Sequence, residues 1–250
     1  MGAMRVEVQE LTVEYSGVRA LDRVNMRIEG PGLVQVIGPN GSGKTSLLRA
    51  ILGLVKPSRG RIVIEGIDVT GSPRLAGRMV GYVPQRPGAP RLSPVTVLEL
   101  VETSLRMRGH RDPRGLAEDA LDAAGVGREH WGKRLWELSG GTLQRVFIAR
   151  ATAPGPRLLV MDEPLANIDP GGRLGLAKLI ARLSRDRLVI VASHEPNLLL
   201  PYTRYMVLVD RGVVAQGPPS QVFRKHVLER VYGASVTRGL VLAGEEGAHG

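Results

Sequence analysis

Apolar and polar residues alternate from Val6 to Tyr15 and again around Val24 to Ile28, the period-two pattern of half-buried antiparallel strands. The apolar run Leu33-Val34-Gln35-Val36-Ile37 follows, then a glycine-rich loop and the helix-like Ser46-Leu47-Leu48-Arg49-Ala50-Ile51-Leu52. Gly60 to Ile67 predicts another strand, closed by the turn-formers Gly66 and Gly71, and Val80 to Val83 predicts a short one ending at Pro84. From Arg86 to Pro94 the chain is rich in Pro, Gly and Arg and marks a boundary. Between Thr96 and Ala153 the period becomes helical. Val97, Leu98, Val101 and Leu105 share one face, and Leu116, Ala120, Leu121 and Ala124 share another. Strand-like runs return at Leu158–Met161, Leu188–Ala192 and Tyr205–Val209, with Leu174, Ala177, Leu179, Ile180 and Leu183 predicting a covering helix. Strands, then a block of helices, then alternating strands and helices predict an α/β fold with an antiparallel β subdomain and an all-helical insertion.

The loop after Ile37 carries the first chemistry. Gly38-Pro39-Asn40-Gly41-Ser42-Gly43-Lys44-Thr45 fits G-x-x-x-x-G-K-[ST], between a strand and a helix as that motif requires. Glycines let successive N–H groups turn inward and make an anion nest at a helix N-terminus. Lys44 can reach the β- and γ-phosphates of a nucleoside triphosphate, and the Thr45 hydroxyl can bind Mg²⁺. The core is therefore of the P-loop NTPase type.

Two further motifs narrow the chemistry. Leu158-Leu159-Val160-Met161-Asp162-Glu163 reads as a buried strand ending in two carboxylates. Asp162 is suited to hold Mg²⁺ through water, and Glu163 to polarise an attacking water as general base. Leu138-Ser139-Gly140-Gly141-Thr142-Leu143-Gln144-Arg145 opens a helix, with Ser139 as N-cap and two glycines leaving amides bare at its positive end. That is a second phosphate-binding surface. One nucleotide hardly needs two from one chain, so the expectation is a dimer, each nucleotide held between one P-loop and the partner's signature.

In this order the motifs resemble those of the nucleotide-binding subunits of ATP-binding cassette (ABC) transporters, from about Arg5 to Gly217. Residues 38–45 resemble Walker A, 158–163 Walker B and 138–145 the ABC signature. Gln85, after Tyr82-Val83-Pro84, resembles the Q-loop glutamine, a Mg²⁺ ligand that reports the nucleotide to the membrane partner. Ala166-Asn167-Ile168-Asp169 resembles the D-loop. His194, after Val191-Ala192-Ser193, is similar to the switch histidine at the γ-phosphate, and Tyr15 to the aromatic that stacks on adenine. Taken singly, Tyr15 reads as a core strand aromatic, Gln85 as a polar strand end and His194 as structural; their order gives them meaning. Thr142 departs from the pattern, which has Gln after the glycines.

The resemblance implies one ABC ATPase domain over 4–217. Its core and β subdomain take 4–85 and 157–217, its helical subdomain takes 86–156, and 218–250 form a C-terminal helical extension and tail. ATP and Mg²⁺ are the implied cofactors. Implied nucleotide contacts are Tyr15, Gly38, Pro39, Asn40, Gly41, Ser42, Gly43, Lys44, Thr45 and Ser46, with Ser139, Gly140, Gly141 and Asp169 acting across the dimer. Glu163, His194, Lys44 and Gln85 are the implied catalytic set, and Thr45, Gln85 and Asp162 the metal set. Implied partners are a second copy or a paralogous ATPase subunit, transmembrane permease subunits and a substrate-binding protein. Docking on the permease is expected between core and helical insertion, near Gln85 to Pro94. The phrasing of 82–86 and 94–99, Arg108-Gly109 and Val231-Tyr232-Gly233 resembles importer subunits for zinc or manganese, or for iron–siderophore or cobalamin.

Composition bounds these expectations. In 250 residues with 43% hydrophobic content, no apolar run approaches the roughly 18 residues that span a bilayer. Attachment to the cytoplasmic face of the membrane would then come through the permease. No cysteine is present, which excludes disulfides and thiolate metal sites. The formal charge of +10 invites an anionic partner, and the rival reading is a soluble ABC-type ATPase acting on nucleic acid or ribosomes. Against it, the basic residues are scattered and aromatics make up 4%, too few for a base-stacking platform, so no nucleic acid is expected.

Overall fold

The computed structural model describes residues 3–85 and 94–233. Strands β1 (Arg5–Tyr15) and β2 (Val18–Glu29) form a hairpin in register Tyr15↔Val18. Its two-residue turn needs positive φ at both positions, and Ser16 (48°) and Gly17 (82°) supply it. With β4 (Arg59–Ile64) and β5 (Ile67–Asp68) they make an antiparallel sheet of order β2-β1-β4-β5. The strand expected over 60–67 is thus two, broken at Glu65 and Gly66, both at positive φ.

The second sheet has the order β10-β9-β3-β8-β7-β6: β3 (Gly32–Ile37), β6 (Val80–Val83), β7 (Leu158–Asp162), β8 (Leu188–Ser193), β9 (Thr203–Asp210) and β10 (Gly212–Gly217). The β9-β3-β8-β7-β6 neighbours run parallel and β10 antiparallel. Every residue of β7 and β8 is buried, as in a sheet covered on both faces. The registers Ile37↔Ser193, Asp162↔Ala192 and Val83↔Met161 bring four strand ends to one edge. Residues 38, 85, 163 and 194 emerge there together, at the carboxyl ends where open α/β sheets carry ligands.

The helical stretch holds α3 (Val97–Arg106), α4 (Pro113–Ala123) and α5 (Gly140–Thr152), after α1 (Lys44–Ile51) and α2 (Pro73–Met79). A Thr96–Glu99 capping box starts α3, whose Val97, Val101 and Leu105 are fully buried. These helices share one apolar core with the face of α6 (Pro170–Leu183) that carries Leu176, Ala177, Leu179 and Ile180. Leu174, expected on that face, is instead exposed. At 100° per residue it points away from the covering side. A second core joins the antiparallel sheet to α1, and a third packs α7 (Pro219–Val222) and a helix over 225–233 against Ile37, Met206 and Leu208. Among the described residues no helix is long and apolar enough to cross a membrane.

Candidate functional site

Gly43 is the pivot between loop and helix. It caps α1 at φ 102°, and a side chain there would bring Cβ to 2.6 Å from the Ala20 carbonyl oxygen and from Leu21 Cδ2. Only glycine meets both demands. The hairpin of β1 and β2 is thereby wedged against the loop. A cavity of about 230 Å³ opens there, lined by Ala20, Asn40, Gly41, Gly43, Lys44, Thr45, Ser46, Gln85 and Glu163. The first turn of α1 carries no acid, so its bare amides and dipole face this cavity uncompensated.

Lys44 is buried and its Nζ donates to the carbonyl oxygens of Gly38 (2.8 Å) and Pro39 (2.9 Å). Burial pulls its pKa down, while Glu163 and then Asp162 push it back up. Thr45 Oγ1 donates to Asp162 Oδ1 at 3.2 Å. Burial holds the Asp162 carboxyl above the usual carboxylate range, a shift the Thr45 hydrogen bond opposes and the neighbouring Glu163 adds to. Glu163 sits at φ 47°, off the strand line, where its buried carboxylate meets His194 Nδ1 at 2.7 Å and the His194 amide at 3.4 Å.

Glu163 also lines a second cavity, about 400 Å³, shared with Ala166, Asn167, Arg173, His194 and Glu195. Arg173 there donates to the Ile168 carbonyl (2.8 Å) and pairs with Glu195 (3.1 Å), tying the segment before α6 to the residue after His194. Sequence reasoning missed Arg173; its signal was a cation in the first turn of α6, directly after the D-loop match. Asp169 caps that helix by accepting from the Gly172 amide at 2.8 Å. Tyr15 lies exposed at the hairpin end and Gln85 is exposed at the mouth of the first cavity.

Ser139, Gly140 and Gly141 stand at the start of α5, outside the lining of the P-loop cavity. The Ser139 hydroxyl accepts from the Thr142 amide (3.3 Å) and lies 3.0 Å from the Thr142 hydroxyl. The departing residue therefore puts a second hydroxyl beside the first. Of the expected docking stretch, Gln85 to Pro94, residues 86–93 lie outside the described residues, as does the tail beyond 233.

Comparison with known proteins decides the family. Residues 21–166 match the family described as ABC transporter. This chain belongs to that family. It is 32% identical over 240 residues to the zinc import ATP-binding protein ZnuC of Paramagnetospirillum magneticum, covering 95% of this chain and 86% of that one. It is 33% identical over 236 residues to the manganese transport system ATP-binding protein MntB of Listeria innocua, covering 91% and 96%. Among solved structures, cbiO1 from Clostridium perfringens, part of the transporter complex cbiONQ, superposes with TM-score 0.78 at 28% identity over 95% of this chain and 97% of that one. The dimeric cassette MJ0796 bound to ADP and Pi gives 0.75 at 26% identity over 85% and 98%. The fold is that of the ABC ATPases, an α/β P-loop core with a helical insertion, and the chain is an ATPase that binds ATP.

The electrostatics of Asp162 give a first prediction. A buried carboxyl with a raised pKa costs stability when ionised. The cost is absent below its unfolded value, about 3.9, and grows as pH rises through the folded one. Asp162→Asn keeps an oxygen for Thr45 and removes the charge. Calorimetry of the nucleotide-free chain should show a higher Tm at pH 7 and no gain below about pH 4. A lower Tm at pH 7 would refute the electrostatic account.

Proposed function

We propose that two copies of this chain, or one with a paralogous subunit, close around two ATP molecules and power a membrane importer of zinc or manganese, as a free ion or chelate. The carrying observation is the gathering of Lys44, Thr45, Asp162, Gln85 and the Glu163–His194 pair at one sheet edge. Phosphoryl transfer to water is mostly positioning and charge stabilisation. Lys44 leaves the Gly38 and Pro39 carbonyls for the phosphates, beside the bare amides of α1. Glu163, held by His194, takes a proton from the attacking water. His194 contacts the γ-phosphate, Tyr15 stacks on adenine, and Ser139, Gly140, Gly141 and Asp169 complete the site from the partner.

Mg²⁺ suits the donor set, since the Thr45 hydroxyl, Asp162 carboxylate and Gln85 amide all offer the oxygen ligands it prefers. Those three residues would hold it, and the chemistry it would supply there is neutralisation of phosphate charge.

The cargo reading draws on the zinc import and manganese transport systems for which the relatives are named. In this proposal a substrate-binding protein outside the membrane would deliver the ion. The permease would dock on the cytoplasmic side in a cavity of about 440 Å³ between core and helical block, where Leu54 and Met107 are exposed. Reconstitution with the permease subunits is the test. ATP turnover should rise with them and drive Zn²⁺ or Mn²⁺ into vesicles, and Met107→Glu should blunt the rise while sparing basal hydrolysis. Stimulation by RNA or ribosomes, with none from the permease, would establish the soluble reading instead.

A further inference from the structure

The His194 ring meets a carboxylate at each of its nitrogens. Nδ1 lies 2.7 Å from Glu163 Oε2, and Nε2 faces Glu195 Oε1 at 3.7 Å. The other Glu195 oxygen, Oε2, accepts from Arg173 Nη1 at 3.1 Å. Arg173 Nε in turn donates to the Ile168 carbonyl oxygen at 2.8 Å. A chain of polar contacts thus runs from the backbone just before α6 to the ring beside Glu163. The Glu195 end is fixed as well. Ser193 Oγ accepts from the Glu195 amide and donates to the Glu195 carbonyl oxygen, each at 3.0 Å. Glu163, Arg173, His194 and Glu195 all line the cavity of about 400 Å³.

We propose that Arg173 and Glu195 are positioning residues for ATP hydrolysis, a clasp anchored on the Ile168 carbonyl that holds the His194 ring against Glu163. The place of Arg173 in the chain argues for such a role. A cation in the first turn of a helix stands against the positive end of its dipole, so it is not there to stabilise α6. The Arg173 and Glu195 side chains are 32% and 62% exposed, and an ion pair that open to water adds little to stability. What the pair supplies is geometry. A planar guanidinium engaged at Nε and Nη1 by two different acceptors is confined to the orientation that satisfies both. That orientation fixes Glu195 Oε2 and leaves Oε1 turned towards His194. Without Arg173 the exposed carboxylate is free to swing into solvent, and the Nε2 side of the ring loses its neighbour. Small misplacements of a catalytic group cost rate steeply, so a clasp on His194 acts on turnover.

The clasp rests on the proposed part of Glu163 and His194 in hydrolysis, which His194→Ala tests on its own. Steady-state ATP hydrolysis by the full chain is measured together with Tm and with ¹⁵N NMR of the histidine rings in nucleotide-free protein. Arg173→Met should lower kcat by about 2- to 30-fold, with KM for ATP and Tm near wild type. Glu195→Ala, which opens the clasp at its exposed end, should lose a similar factor. Added to an impaired His194→Ala, neither change should cost more, because both act through the ring. The His194 ring signals, recognised by their loss in His194→Ala, should shift in nucleotide-free Arg173→Met. Full hydrolysis by His194→Ala would overturn the reading of the site and the clasp with it. With His194→Ala impaired, a full kcat or unmoved ring signals in Arg173→Met overturns the clasp alone. So does a loss of kcat that comes with a fall in Tm or persists in full on top of His194→Ala.

Discussion

Replacing Lys44 with alanine is expected to weaken ATP binding by about 10²-fold or more, to the point that titration at millimolar nucleotide detects little. Each charge-assisted hydrogen bond to a phosphate oxygen is worth about 1.5–3 kcal/mol, and Lys44 is positioned to make two, so the combined loss is at least two decades. Folding responds differently. The ammonium is already desolvated enough to depress its pKa, and among the described residues it hydrogen-bonds to the Gly38 and Pro39 carbonyls. Removing it relieves the desolvation cost but takes the partner from the Gly38 and Pro39 carbonyls, two effects of opposite sign and similar size. Circular dichroism and a Tm near wild type should therefore accompany the loss. A well-folded Lys44→Ala chain that binds ATP like wild type would remove the phosphate role from the loop.

Much of the P-loop region was legible because its physics is local. An apolar strand, glycines that tolerate left-handed backbone and a helix start lie within twenty residues of each other, and Gly43 at φ 102° is what that pattern demands. Leu158–Asp162 was legible for a related reason, since a strand buried on both faces must be apolar throughout. Elements without a periodic apolar stripe went unread. In α2 only Ala76 is buried, and β10 is half exposed along most of its length, so neither gives a pattern to find. The true start of β2 at Val18 was hidden because Val18 itself is exposed. Long-range geometry was the other gap. The Arg173–Glu195 pair has no local signature, because sheet topology alone brings those segments together.

Glu163→Gln is expected to slow hydrolysis by about 10²–10⁴-fold, the usual contribution of a positioned general base, while ATP still binds. The amide keeps an oxygen for His194 Nδ1, now met by the carboxylate at 2.7 Å, so the site should hold its shape. It also removes a negative charge next to the γ-phosphate, and ATP should then persist long enough to trap the closed dimer. Light scattering after size exclusion should show a dimer with ATP and a monomer with ADP, because in the proposed shared site only the γ-phosphate bridges Lys44 of one chain to Ser139 and Gly141 of the other. Adding Ser139→Glu should abolish that dimer by setting a carboxylate against the phosphate. The Ser139 hydroxyl already engages the Thr142 amide and hydroxyl, so a phosphate must compete for it, and the dimer should be weaker than one built on a glutamine at position 142. Thr142→Gln should accordingly tighten it. An ATP-bound Glu163→Gln chain that stays monomeric at every concentration tested would eliminate the shared-site mechanism and leave Ser139 an ordinary helix cap.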